Sequence, residues 1–209
     1  MRVKLILKVI LILIYPLFVV FASVRVSYSE PLLRLIYATI KLPQDPMPER
    51  ERLNLAILGL KAVTTSDGIE EFKNTGLFNQ REIIHMQDVK NLLRVVFLGL
   101  YAMLVLYLLS IFILGFKELA RVLFYGSIFT TVLISLTILF ALLSYETLFV
   151  GFHELFFKEG SWRFKDEDML LRIYPMNFWF VSTIYAGVIG LMICTAGFIA
   201  GYFLKSKSN

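Results

Sequence analysis

Charge is missing from this sequence in long blocks. Val95 to Phe116 runs 22 residues without Asp, Glu, Lys or Arg, Val122 to Tyr145 runs 24, and Ile173 to Leu204 runs 32. A helix needs about 20 apolar residues to cross the hydrocarbon of a bilayer, so each block can span it once. Pro175 fits the start of the last helix, because proline lacks an amide hydrogen and disrupts a helix interior. A fourth apolar run, Leu5 to Val24, is interrupted only by Lys8. Composition agrees: the chain is 58% hydrophobic and 18% charged, with a mean hydropathy of +0.73, far from a soluble domain. The expected fold is all-α and integral to the membrane, a single membrane domain over 1–209 with four transmembrane helices at about 5–24, 95–116, 122–145 and 176–204. The loops between spans 1–2 and 3–4, residues 25–91 and 146–175, are left to form an extracellular cap.

The basic residues give these spans a direction. Arg2, Lys4, Lys8, Lys117, Arg121, Lys205 and Lys207 fall on one side against Glu118 alone, and the other side carries fourteen basic and fifteen acidic residues. Lys and Arg accumulate in cytoplasmic loops, so both termini and the short 117–121 connection are expected in the cytoplasm. The net charge of +5 is then a topology signal, and nothing in it calls for nucleic acid. The first apolar run also has signal-peptide features, a basic start and small Ala22 with Val20 two positions before it. Its body contains Pro16 and is long for a signal segment, so an uncleaved span is the preferred reading. The single Cys194 lies mid-span, excludes an intramolecular disulfide and reads as a small packing residue.

The first outer segment has internal structure. Pro31 to Lys41 reads as a short amphipathic helix suited to the membrane interface, with Leu32, Leu33, Ile36 and Ile40 on one side and Arg34, Tyr37 and Lys41 on another. Three prolines between Pro43 and Pro48 then impose a rigid loop. Glu49 to Val63 places Leu53, Ala56, Ile57, Leu60 and Val63 at helical spacing, and Thr64 to Phe72 is a turn followed by a new start. Asn79, three residues before Glu82, has the spacing of a capping box. Nothing obvious breaks a helix from Gln80 to Phe116, Gly99 being its weakest point. Such a helix is about 55 Å long against about 30 Å of hydrocarbon, so its first turns stand clear of the lipid tails.

The two histidines of the chain ride on such protruding ends. His85 lies ten residues before Val95 and His153 eight after Tyr145. If both helices run on, both imidazoles sit about 12–15 Å beyond the hydrocarbon edge. Level placement allows an acid–base pair, since imidazole gives and takes protons near neutral pH. Asp88 shares a helix face with His85 and can fix its tautomer, although Asp88 and Lys90 equally suit solvated interfacial charges. Around His153 stand Phe149, Phe152, Phe156 and Phe157, then Trp162 and Phe164, with Tyr174, Phe178 and Trp179 following. An interfacial aromatic belt accounts for part of this density, and a dry pocket for acyl chains suits it as well. Such surroundings keep an imidazole neutral. A serine nucleophile elbow, a glycine-rich phosphate loop and an HExxH zinc pattern are all missing. Three readings stay open: proton-transfer catalysis, a metal-dependent membrane hydrolase using both histidines and a carboxylate, and a non-catalytic protein that binds lipid or a partner.

Two blocks resemble a known family. Asn79, Arg81, Glu82, His85, Met86, Asp88, Val89 and Lys90 resemble its first signature. Phe152, His153, Leu155, Phe156, Phe157, Trp162, Asp168, Leu170, Leu171, Pro175, Phe178 and Trp179 resemble its second. The family is the lipoprotein intramolecular transacylases of Gram-positive bacteria, small four-span enzymes with an extracellular cap. Length, span count and inside termini agree with it, and the residues before Asn79 agree in general character only. The resemblance implies an acyltransferase that moves the sn-2 acyl chain of a diacylglyceryl-cysteine to the cysteine's own α-amino group, giving the lyso-form lipoprotein. It implies His85 and His153 as the catalytic pair, with no metal and no cofactor. The substrate's amine is then the nucleophile, in agreement with the missing serine and cysteine motifs. An α-amino group titrates near pH 8, so a neutral imidazole can take its proton while the other returns one to the glyceryl oxygen. His85 as base, oriented by Asp88, with His153 as acid is the expected arrangement. Arg81, Lys90, Trp162 and Tyr174 are the candidates to stabilise the oxyanion. The expected protein is a monomer in the cell membrane, acting on a diacylated lipoprotein among membrane lipids, its active site at the extracellular face.

Overall fold

The computed structural model describes residues 2–158 and 160–206, and every secondary-structure element among them is an α-helix. In chain order these are α1 Arg2–Ser27, α2 Glu30–Thr39, α3 Glu49–Thr64, α4 Gly68–Asn74, α5 Gln80–Leu114, α6 Phe116–Phe156, α7 Met169–Ile173 and α8 Met176–Ser206. Helices α1, α5, α6 and α8 are long and apolar enough to cross a membrane. Both α5 and α6 extend past their uncharged runs: 80–94 of α5 holds Arg81, Glu82, Asp88, Lys90 and Arg94, and 146–156 of α6 holds Glu146 and Glu154. α6 carries one kink, at Ser144, whose backbone leaves helical values. The turn between α5 and α6 is Gly115 alone, with φ +78°, a conformation a side chain would strain. Lys117 to Arg121, expected as the connection, therefore belongs to the start of α6.

The chain forms two compact units. The first takes Met1–Val26, Phe97–Leu139 and Tyr185–Asn209. Its centre is Tyr15, edge-on to Tyr107 at 6.1 Å. The Tyr15 oxygen accepts from the Ser127 hydroxyl at 3.2 Å, and Tyr107 donates to the Leu11 carbonyl oxygen at 2.6 Å. Gly126 and Gly197 press on Tyr15 so closely that a Cβ would come within 2.8 and 2.4 Å of its atoms. Close approach through small residues is how helices gain contact where lipid offers no hydrophobic drive. Cys194 packs in this core. Lys8, the interruption in the first apolar run, is paired with Glu118 at 2.7 Å.

The second unit takes Ser27–Val96 and Phe140–Ile184. Here α2 buries Leu33, Ile36 and also Tyr37, which the spacing put on the polar side. The reason is tertiary: the Tyr37 hydroxyl donates to the Ile173 carbonyl oxygen, and its ring packs on Phe178 at 5.9 Å. α3 buries Arg52, Ala56, Gly59, Ala62 and Val63, so its inner face is turned away from the Leu53, Ile57 and Leu60 stripe. Tyr174 sets that rotation. Its hydroxyl donates to the Ala56 carbonyl oxygen and its ring lies over Gly59, where a Cβ would come 2.6 Å from the hydroxyl. Buried Arg52 donates to the carbonyl oxygens of Arg172 at 2.8 Å and Pro43 at 2.9 Å. Arg172 grips Asp45 through two hydrogen bonds of 2.8 and 2.7 Å, which pin the proline loop. Those bonds hold the Asp45 carboxyl well below the usual carboxylate range.

Candidate active site

The first turns of α5 are fixed before their histidine is reached. Asn79 N–H donates to Glu82 Oε2 at 2.7 Å and Glu82 N–H to Asn79 Oδ1 at 3.1 Å, a reciprocal capping box. The other Glu82 oxygen accepts the Leu170 N–H at 2.6 Å. Burial raises the pKa of this carboxyl, and the two backbone donors oppose the rise. Asp168 accepts from Asn79 Nδ2 and Arg81 Nη2, each at 2.8 Å. The Arg81 guanidinium also stands 5.4 Å from the Phe164 ring centroid. Segment 162–170 is thereby clasped to the start of α5.

That clasp closes an aromatic box around both imidazoles. The His85 and His153 ring centroids are 6.0 Å apart, with 25° between the ring planes. Phe157 at 4.9 Å and Phe164 at 5.4 Å meet His85 edge-on. Phe149 at 4.1 Å, Trp162 at 4.8 Å and Phe152 at 5.4 Å surround His153. Phe156 packs on Phe152 at 4.9 Å and makes no ring contact with either histidine.

Hydrogen bonding tells the two rings apart. His153 Nδ1 is 2.7 Å from the Phe149 carbonyl oxygen. A carbonyl can only accept, so Nδ1 carries the proton and Nε2 keeps a free lone pair in the neutral ring. Burial pulls the His153 pKa below the ordinary imidazole value, and the Phe149 carbonyl works against that pull. His85 is 8% exposed, and its buried Nδ1 has no hydrogen-bond partner among the described residues. Burial first, and then the charge His153 would carry, pull its pKa down to about 4. Both rings are uncharged at neutral pH. Trp162 is 7% exposed, and its Nε1 is likewise buried without an acceptor.

The remaining candidates stand elsewhere. Asp88 makes no hydrogen bond with His85, although the two share a helix face. Lys90 donates to the Ser66 carbonyl oxygen at 2.8 Å and so ties α5 to the α3–α4 turn. Tyr174 is committed to Ala56. Phe178 and Trp179 pack against Tyr174 at 5.0 and 5.6 Å in a separate aromatic group, away from the imidazoles. Of the four oxyanion candidates, Trp162 alone both touches a histidine and keeps a buried donor unpaired. Among the described residues no three His, Cys, Asp or Glu side chains gather as a metal site would require. The Asp168 clasp joins positions 87 and 89 residues apart, and no local spacing announces it.

The fold is that of a multi-pass membrane protein, and it brings two buried imidazoles together inside an aromatic box. The sequence profile described as lipoprotein intramolecular transacylase Lit matches residues 9–179. An uncharacterised protein of Aquifex aeolicus (strain VF5) is 34% identical over 212 residues, covering 96% of this chain and 97% of that one. The membrane-integral Lit of Bacillus cereus superposes at a TM-score of 0.72 with 20% identity, over 99% of this chain and 98% of the other. A histidine-to-alanine variant of that Bacillus cereus protein superposes at 0.66 with 22% identity, over 99% and 96%. The chain belongs to the lipoprotein intramolecular transacylase family. It is a transferase that moves an acyl chain within a lipoprotein, on the four-span helical fold expected from the sequence.

Proposed function

We propose that this chain turns a diacylglyceryl-cysteine lipoprotein into its lyso-form, with His153 as the base that starts the transfer. The observation that carries the assignment is the bond from His153 Nδ1 to the Phe149 carbonyl, which leaves Nε2 as proton acceptor. The cysteine's α-amino nitrogen attacks the sn-2 ester carbon. As the N–C bond forms, the carbonyl π pair moves onto oxygen and Nε2 takes a proton from nitrogen. Collapse of the tetrahedral centre breaks the C–O bond to glycerol, and the His153 imidazolium returns its proton to the departing glyceryl oxygen. An ester becomes an amide, which is downhill, and no cofactor is consumed. His85, held neutral, offers its single N–H as a hydrogen-bond donor to that oxygen as charge builds on it. The base is thus His153 in place of the His85 that the sequence suggested, because the fixed tautomer belongs to His153 and no carboxylate orients His85, while His153 keeps the acid role expected of it.

The aromatic walls supply the rest. Burial disfavours an ammonium ion, so the substrate's amine enters as a nucleophile. Folding the lipid head so that amine meets ester is worth about 7–11 kcal/mol when both are well oriented. The excess of basic residues at Arg2, Lys4, Lys8, Lys117 and Arg121 supports cytoplasmic termini and an extracellular site. Both imidazoles and Trp162 come from one chain, so a monomer is sufficient.

Mass spectrometry of a reporter lipoprotein's N-terminal peptide tests the reading in cells that carry His153→Ala or His85→Ala. The diacylglyceryl form should accumulate with His153→Ala while the variant still reaches the membrane in normal amount. Wild-type yields of lyso-form from that variant would remove His153 from the mechanism.

A further inference from the structure

We infer that Trp162 is the oxyanion donor of this site: its indole N–H accompanies the carbonyl oxygen of the migrating acyl group as that oxygen becomes negative. The inference rests on the proposed reading of the two histidines and adds to it the group that bears the transition-state charge.

Unpaired buried donors are uncommon in folded chains, and each one asks for an explanation. Four buried side-chain polar atoms lack a partner among the described residues: His85 Nδ1, Thr130 Oγ1, Trp162 Nε1 and Asn177 Oδ1. Two of these four belong to rings packed around His153. The indole is not loose. Its ring lies 4.8 Å from His153 and 6.4 Å from Phe149, and the Arg163 guanidinium stands 5.0 Å from its centroid. A cation against the ring also draws electron density from it and sharpens the N–H as a donor. The bond Trp162 does not make among the described residues is one a bound acyl oxygen can accept.

The chemistry suits an indole. It donates and does not accept, and it does not lose its proton near neutral pH, so it cannot compete with His153 for the amine's proton. In the addition step the π pair moves to oxygen and the hydrogen bond from Nε1 shortens, with no proton passing to the oxygen. In the collapse step the same pair re-forms C=O, now as an amide, and the glyceryl oxygen leaves with the proton from His153. A donor placed beforehand in a site poor in water stabilises such charge far better than water would.

The test replaces Trp162 by 3-benzothienylalanine, which keeps the bicyclic shape and puts sulfur where the N–H was; Trp179 stays natural. Purified enzyme is assayed on a synthetic diacylated lipopeptide beside Trp162→Phe and His153→Ala. The expected result for the isostere is a loss in kcat of about 10²-fold with KM and Tm unchanged. Trp162→Phe should lose kcat to at least the same degree. If the isostere turns over within about twofold of wild type while His153→Ala is inactive, the oxyanion role falls and the histidine reading stands. If His153→Ala is as active as wild type, both fall. A lowered Tm with kcat per folded molecule retained would make the indole a packing residue and overturn the inference.

Discussion

The second unit holds two aromatic groups of similar composition and opposite character. In one, Tyr37, Tyr174, Phe178 and Trp179 pack at 5.0 to 5.9 Å, and both tyrosine hydroxyls donate to carbonyl oxygens, of Ile173 and Ala56. In the other, Phe149, Phe157, Phe164 and Trp162 enclose two imidazoles, and nitrogens of His85 and Trp162 are buried without partners. Ring density is therefore no guide to which group is scaffold. Polar satisfaction separates them: the tyrosine hydroxyls of the first group hold α2, α3 and α7 together, and the second leaves His85 Nδ1 and Trp162 Nε1 without a partner among the described residues.

Removing the proposed proton acceptor strikes the second group hardest. His153→Ala should lower turnover of the reporter lipoprotein by about 10²–10⁴-fold while Tm changes little. A comparable loss of Tm would mean that the ring is scaffold after all, and the contrast between the groups would collapse.

The next largest effect concerns His85 and pH. Its pKa is about 4 in the folded chain against about 6.5 when unfolded. Between those values the unfolded chain binds a proton that the folded chain refuses. The stability due to a neutral His85 is complete above about pH 6.5 and is lost as pH falls towards 4, about 3 kcal/mol in all. Thermal unfolding in detergent from pH 7.5 to 4 should show wild type losing more than His85→Gln. That pairing matters because Glu82, with its raised pKa, favours the folded chain as pH falls and does so equally in both proteins. Parallel losses in the two proteins would place His85 in contact with water.

Tyr174→Phe probes the satisfied group. It strips the Ala56 carbonyl of its donor and should cost about 1–3 kcal/mol of stability. Turnover per folded molecule should stay unchanged, measured on the fraction that survives gel filtration. A fall in kcat without a fall in Tm would move Tyr174 into the reacting group, where the sequence had also considered it.

What could be read in advance was what depends on near neighbours. Four helices long enough to span follow from runs without charge, the α5 start from the three-residue spacing of Asn79 and Glu82, and the nearness of the histidines from their similar distances beyond the uncharged runs. What could not be read depends on residues far apart in the chain. Tyr37 belongs on the polar side of α2 by spacing, and only the Ile173 carbonyl turns it inward. Arg52 looks like a surface charge on α3 until Pro43 and Arg172 are folded around it. Trp162 was one of four equal donors, and what singles it out is an acceptor that is missing, a property no residue type carries.

Asp88 gives the smallest expected effect and the sharpest reading of the pair. Its spacing from His85 invites the role of an aspartate that holds a catalytic imidazole in one tautomer, and loss of such a partner's charge costs about 10⁴-fold in turnover. In the structure no hydrogen bond joins the two, and His85 is held by the edges of Phe157 and Phe164. Asp88→Asn keeps the shape and removes the charge, so kcat should stay within about twofold of wild type and the acid limb of its pH profile should not move. The same substitution in a chain where His85 were the oriented base would nearly abolish turnover. The interval between those outcomes is wide enough for this one variant to decide whether Asp88 orients His85: an unaffected enzyme removes that role and leaves His153 as the ring whose tautomer is set, by a backbone carbonyl that no side-chain substitution can remove.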